Sequence, residues 1–405
     1  MKRIKQIENV LLMVVLLCLC IWQMPVRAET AGVLIAYSDL NQITRHGNVR
    51  LVTDHVILLK DLEDAGIEPG DTVKVTFLDK ELEMQVGFNF SEAVSGEKLL
   101  RIRDDSVSLT INMGDFASEY ICDRASVNND PVTWKYKDGI KGPVAFRIET
   151  IRKGDASKKS GLRRLTYSNE RADYPELSDA EFANFRMVTT TGMGEGALYR
   201  TATPINPKNN RNKYADAALK SVGIRTVINL ADSRETAEGY DGYSESYYST
   251  TDYIALNMEL SIFTEDFREK LARGLRFLGS HQGPYAVHCT EGKDRTGIVV
   301  ALLECFMGAD WDEVKADYMI TYRNYYGIMP DDPAYDEIVG RNIEASLRRL
   351  FQTDDLTNTD LAREAEDFFR YIGLSGEEIE NLRTNLGRSW MYESVQETEN
   401  EAAAA

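Results

Sequence analysis

The sequence predicts an α/β fold, a central sheet flanked by helices, preceded by a small all-β domain. Three observations carry that prediction. From residue 32 to about residue 150, short stretches alternate apolar and polar residues, the period of half-buried strands. From about residue 180 onward, short apolar runs alternate with amphipathic helical patterns, as a largely parallel sheet requires. Between the two regimes lies a basic stretch with Gly and Ser at its centre, IRKGDASKKSGLRRL.

In chain order, Lys2, Arg3 and Lys5 precede an apolar run over residues 10–22, and Val26-Arg27-Ala28 offers the small residues that a signal peptidase reads. Residues 1–28 are therefore expected to be a secretory signal, and the protein secreted or extracytoplasmic. The run falls short of the roughly 20 apolar residues of a comfortable membrane span; an uncleaved N-terminal anchor is the alternative. Residues 29–150 form the all-β domain, with strands expected over 72–77, 82–86 and 106–111 and turns at Gly70-Asp71 and Asn129-Asp130-Pro131. It shows no cluster of catalytic residue types, so support or binding of a protein or surface partner is its expected role. Residues 151–170 read as a solvated basic linker, or else as a basic rim to a site.

Residues 171–351 form the α/β domain. Ser178-Asp179-Ala180-Glu181 is a capped helical turn. A helix follows over 214–222, stopped by Gly223, then buried strands at 226–230 and 253–256 and a helix over 267–278. Residues 285–287 are the next buried strand and lead through a tight loop into an apolar helix from Arg295. Further helices are expected over 311–326 and 336–351. Residues 352–405 hold two more, 360–371 and 376–386, and a solvated tail rich in Glu and Ala from Glu393.

Composition narrows the partners. A net charge of −18 over 405 residues argues against nucleic acid. It also opposes polyanionic substrates unless a basic rim admits them. Beyond the signal there are three cysteines, Cys122, Cys289 and Cys305, an odd number too small for a disulfide framework. Cys305 falls on an apolar helical stripe and reads as core; the alternative is a reversible disulfide that shields Cys289.

The chemistry concentrates in HCTEGKDRTG, residues 288–297. The first amides of a helix have no partners within it, and a Gly-containing loop adds a concave nest of N–H groups, so strand, loop and helix together bind anions. Cys289 stands at the mouth of that loop, beside a helix N-terminus and Arg295, surroundings that favour its thiolate. Arg295 can grip two oxygens of a phosphate with its planar fork. Together they imply phosphate monoester hydrolysis through a cysteinyl-phosphate. His288-Cys289, five residues, then Arg295-Thr296-Gly297 resembles the phosphate-binding loop of the cysteine-dependent protein phosphatases. With Gly292-Lys293-Asp294 inside, it is most similar to secreted bacterial tyrosine and dual-specificity phosphatases that also accept phosphoinositides. Asn184-Phe185-Arg186, Leu198-Tyr199-Arg200, the strand at 223–230 and the late pair Ile372-Gly373-Leu374-Ser375 and Leu382-Arg383 follow the order of that family. The resemblance spans about residues 177–386.

It implies Cys289 as nucleophile, Arg295 as phosphate clamp, and a binding loop of His288, Thr290, Glu291, Gly292, Lys293 and Thr296. His288 would orient the loop, Thr296 would donate to the sulfur, and Lys293 would steer a second phosphate or acidic head group. No metal or other cofactor is implied. Relatives carry an acid Asp well before the cysteine, whereas this chain has Asn257-Met258-Glu259 there. Asp294 is the leading acid, with bracing of the loop as its other role; Glu259, Asp232 and Asp266 are weaker candidates. The expected function is a protein-tyrosine, dual-specificity phosphatase. A phosphoinositide or inositol phosphate phosphatase is the alternative, and an inactive phosphate-binding module the third reading.

Overall fold

The structure, a computed structural model, describes residues 33–125, 132–161 and 164–390. The signal, the turn at Asn129-Asp130-Pro131 and the acidic tail lie outside the described residues. No helix among the described residues is long and apolar enough to cross a membrane.

The N-terminal region is a seven-stranded sheet of β1 (Val33–Ser38), β2 (Val49–Arg50), β3 (Thr72–Phe77), β4 (Lys80–Gly87), β5 (Lys98–Ile102), β6 (Val107–Ile111) and β9 (Val144–Arg152), in the order β1-β9-β3-β4-β5-β6-β2. A hairpin of β7 (Cys122–Arg124) and β8 (Trp134–Tyr136) lies outside it. The sheet's two ends meet: Tyr37 and Val52 exchange backbone hydrogen bonds of 2.7 and 2.9 Å, closing a small barrel with few open edges. Val73 faces Met84 and Val75 faces Leu82 across β3 and β4, and these side chains join Leu100, Leu109, Phe146 and Ile148 inside the barrel. Three described cations of the basic stretch are taken up by this barrel. Arg152 continues β9, Lys153 pairs with Asp71 at 3.0 Å, and Arg164 pairs with Asp104.

The second sheet holds β10 (Arg186–Met187), β11 (Leu198–Thr201), β12 (Thr226–Asn229), β13 (Asp252–Ala255) and β14 (Tyr285–His288), in the order β10-β11-β14-β12-β13, parallel except for β10. β14 is the middle strand and is buried along its whole length, as a strand covered on both faces must be. The helix Asp294–Met307 is apolar almost all round and runs through the core. The helices Glu265–Ser280, Trp311–Tyr326, Leu361–Tyr371 and Gly376–Gly387 close over it. Leu361, Phe369, Leu382 and Leu386 share one core with Ile298 and Val299, so the C-terminal helices complete the α/β domain instead of following it.

One expected helix is broken. Residues 336–351 divide into Ala334–Val339, a π-turn at Gly340–Glu344, and Ala345–Phe351. The barrel docks at that turn: Ser95 N–H donates to the Arg341 carbonyl (2.8 Å), and Asn112 Nδ2 donates to Asn342 Oδ1 (3.0 Å). A π-turn frees carbonyls that a regular helix would consume, and this one spends them on the neighbouring domain.

Candidate active site

β14 delivers His288 and Cys289 to the carboxyl edge of the sheet, with Thr201 and Asn229 in register on either side of His288. Residues 290–293 then turn the chain into the Asp294–Met307 helix. The turn requires Gly292: its φ is +67°, and a Cβ there would lie 2.3 Å from the Thr201 carbonyl oxygen.

The loop's shape is imposed from outside. The Thr290 carbonyl accepts from Asn209 Nδ2 at 2.9 Å, and the Glu291 carbonyl from Asn184 Nδ2 at 3.1 Å and the Tyr325 hydroxyl at 2.9 Å. The Gly292 carbonyl accepts from Asn184 Nδ2 at 3.2 Å and Arg200 Nη2 at 3.0 Å. Carbonyl and N–H of one planar peptide point opposite ways, so pinning these oxygens outward turns the N–H groups of Glu291, Gly292 and Lys293 inward. Among the described residues those three amides have no acceptor. Converging unpaired donors at a helix N-terminus are an anion nest.

The braces are themselves locked. Asp317 takes Arg200 at 2.5 Å and Arg186 at 2.8 Å, and Asn184 Oδ1 accepts from Arg186 at 2.8 Å. Burial pushes the Asp317 carboxyl up, and the two guanidiniums outweigh it and hold it below the usual carboxylate range. Glu304, buried beside them, goes the other way: burial and the charge of Asp317 push it well up, toward the neutral acid.

Inside the nest, Cys289 is 2% exposed and Arg295 7%. Arg295 donates through Nη1 to the Met258 carbonyl (3.0 Å) and through Nη2 to Thr290 Oγ1 (2.9 Å), which aims it across the loop. The Thr296 hydroxyl and His288 Nε2 are buried without a partner among the described residues. Burial pulls His288 down to about 4, so it is a neutral imidazole; its Nδ1 lies 3.3 Å from the Cys289 carbonyl.

The four acid candidates separate clearly. Asp294 opens the helix and keeps 35% side-chain exposure. Burial pushes its carboxyl up and Glu291 adds to this, while Lys293, Arg295 and Arg101 oppose; the net shift is upward. Glu259 instead sits in a cage of barrel side chains, 3.0 Å from His46, 3.1 Å from Arg124 and 4.0 Å from Arg45. Burial pushes it up, but the hydrogen bond with His46 and the charges of Arg124 and Arg295 hold it at about 2, an ionised brace and a poor proton donor. Asp232 is 3% exposed and accepts from the Tyr240 hydroxyl and Asn229. Asp266 pairs with Lys270 at 2.9 Å in the first turn of its helix.

Lys293, expected to steer a second phosphate or an acidic head group, is already paired within the site. Its Nζ lies 2.9 Å from Glu291 and 3.0 Å from the Tyr326 hydroxyl, while the Tyr167 hydroxyl donates to Glu291 from the other side at 2.6 Å. Cys305 cannot bridge to Cys289. It stands eleven residues into the Asp294–Met307 helix, about 16 Å along the axis at 1.5 Å per residue, against the 7 Å or less that a disulfide needs between Cα atoms. All three described cysteines are free and buried.

Sequence reasoning missed Asn209, Asp317, Tyr325 and Tyr167, and every barrel residue at the site. One signal was present. Asp317, Thr321 and Asn324 recur at helical spacing on a buried face, a polar stripe where core was expected. The barrel cations had none, because nothing in their spacing says which domain they touch.

A profile of the tyrosine phosphatase family matches residues 181–388. A tyrosine-protein phosphatase of Nostoc commune is 23% identical over 214 residues, 42% of this chain and 69% of its own. Among solved structures, P. aeruginosa TpbA aligns over 48% of this chain and 88% of its own at 17% identity, with a TM-score of 0.21. An uncharacterized conserved protein from Thermotoga maritima aligns at 18% identity and a TM-score of 0.20, over 28% of this chain and about a third (35%) of its own length. Likenesses that distant carry no argument. The family profile spans the braces, the nest and the helices that close over it, and by that match the chain belongs to the tyrosine phosphatase family.

Proposed function

We propose that the protein hydrolyses phosphotyrosine in polypeptides through a phosphorylated Cys289. The observation that carries this reading is the nest: three loop carbonyls tied outward by Asn184, Arg200, Asn209 and Tyr325 leave three amides free to receive phosphate oxygens around Cys289. In the first step the Cys289 sulfur attacks phosphorus in line. The S–P bond forms as the bond from phosphorus to the tyrosyl oxygen breaks, and Asp294 gives that oxygen its proton. The amides and Arg295 take the charge gathering on the non-bridging oxygens, stabilisation already in place before the reaction begins. In the second step water attacks phosphorus as Asp294 takes back a proton. The S–P bond breaks with the electron pair returning to sulfur, where the Thr296 hydroxyl can donate, and inorganic phosphate leaves.

The test is the chain from Glu29 and its Cys289→Ser variant against phosphotyrosine, phosphoserine, phosphoinositide and inositol hexakisphosphate, with rapid quench to look for phosphate on Cys289. Cys289-dependent release mainly from phosphotyrosine, with a trapped phosphoenzyme, supports the reading; equal release from phosphoserine would make it dual-specificity. Preference for the inositol compounds would overturn it. That alternative is motivated by Lys293-Asp294 in the loop and opposed by the acidic surface, and the pairing of Lys293 with Glu291 and Tyr326 supports the phosphotyrosine reading. We also propose an extracytoplasmic location, tested by mass spectrometry of the N-terminus of the mature protein.

A further inference from the structure

The barrel brings a cation to the active-site loop that no described residue neutralises directly. Arg101 on β5 lays its guanidinium 4.0 Å over the Phe90 ring and donates through Nε to the Phe88 carbonyl at 3.2 Å. These contacts use its face and one N–H. Among the described residues no carboxylate lies within ion-pair distance of it, and its Nη groups are uncommitted. Asp294 and Glu291 act on it only at longer range, and burial and Arg103 lower it to about 10, still a cation at neutral pH. Between Arg101 and the loop is a cavity of about 60 Å³, whose walls include Lys293, Asp294, Tyr322, Leu260 and Asn112.

A half-buried cation without a counter-ion, facing a cavity beside a reacting centre, is a site for an anion that arrives with the substrate. Size limits which anion. A buried water needs roughly 10–15 Å³ by this measure, so the cavity has room for about four, enough for a carboxylate and too little for an aromatic ring. Charge limits it further. Glu291 and Asp294 share the neighbourhood, so a doubly charged phosphate meets more repulsion there than a singly charged carboxylate.

We propose that Arg101 is a specificity-determining residue, which binds the carboxylate of an Asp or Glu flanking the phosphotyrosine of a protein substrate. The proposal rests on the reading of Cys289 and Asp294 as the catalytic pair. It makes the barrel part of the substrate site rather than a bystander.

The experiment compares phosphotyrosine peptides that differ only in Glu or Gln at each of the two positions on either side of the phosphotyrosine. It reads kcat and KM for the unaltered chain, Arg101→Gln and Arg101→Lys, with urea unfolding of each to check the fold. A charge-assisted hydrogen bond predicts about a tenfold or greater preference in kcat/KM for one Glu position, carried by KM. Arg101→Gln should bring the ratio near one, and Arg101→Lys should keep part of it. A ratio unchanged in a folded Arg101→Gln would overturn the proposal. So would an equal loss of kcat on both peptides with a displaced acidic limb, since Arg101 would then act through Asp294. A preference seen only for a second phosphate would overturn it too. Turnover of both peptides at one rate by the unaltered chain rejects this inference alone, whereas no turnover of either rejects the catalytic reading beneath it.

Discussion

Asp294 and Glu259 both feel the charge of Arg295 and are nonetheless driven in opposite directions. Burial and the charge of Glu291 leave Asp294 with a raised carboxyl despite Lys293, whereas Glu259 faces His46, Arg124 and Arg45 and is held at about 2. Burial that lets one carboxyl hold a proton, beside ion pairing that strips the other, is how a site assigns an acid. Asp294→Asn should therefore lower turnover of an alkyl phosphate by about 10²–10⁴-fold and that of nitrophenyl phosphate far less; equal losses on both would remove it as the acid. The same shifts govern stability. Glu259 has a depressed folded value, so its contribution is present above about 4.5 and is lost as pH falls from there toward 2, on the order of 3 kcal/mol in all. His288, lowered from 6.5 to about 4, favours the fold above 6.5 and ceases to as pH falls through that interval. Urea midpoints should thus begin to fall below about pH 6.5, and His288→Gln should remove the first part of that decline.

At the scale of elements, the loop after Cys289 is a surface cast by its neighbours. Asn184, Arg186 and Arg200 come from short segments around β10 and β11, and Asp317, Thr321 and Asn324 from one face of the Trp311–Tyr326 helix. Asp317→Asn would leave two buried guanidiniums without their counter-ion, and removing one partner of such a network costs about 3–5 kcal/mol. The expected result is a lower urea midpoint and weaker inhibition by inorganic phosphate, with Cys289 and Arg295 untouched. Gly292→Ala should also weaken phosphate inhibition, because the Thr201 carbonyl leaves no room for its Cβ. Much of this was legible. The strand at 72–77 and the helix at 311–326 fall where the residue pattern puts them, and the Cys289 loop is where strand, Gly and helix N-terminus converge. The break in the helix over 336–351 was not legible, because its apolar spacing is continuous and the π-turn answers to Ser95 and Asn112, more than two hundred residues away.

Over the whole molecule, barrel and α/β domain are joined by chemistry that neither would show alone. Met113 of the barrel sits in the α/β core, Ser346 donates to Ser95 at 2.9 Å, and Glu259 gathers His46, Arg124 and Arg45 from the barrel. Glu259→Gln should therefore loosen the seam, raising hydrogen exchange of residues 257–263 and of the barrel loop at 45–47 while the centre of the sheet stays protected; uniform protection would show that the cluster contributes little to docking. The order of strands has a consequence for how the chain folds. β10 and β11 form one half of the central sheet, β12 and β13 the other, and β14 joins them, although it is the last of the five in the chain. Until residues 285–288 insert, β11 and β12 each present an unpaired inner edge, an exposed template for association with other chains. Contacts so distant in sequence also form slowly. The strand that carries Cys289 is thus the keystone of the sheet: a partly folded chain has two half-sheets and no nest, and the step that completes the core also creates it.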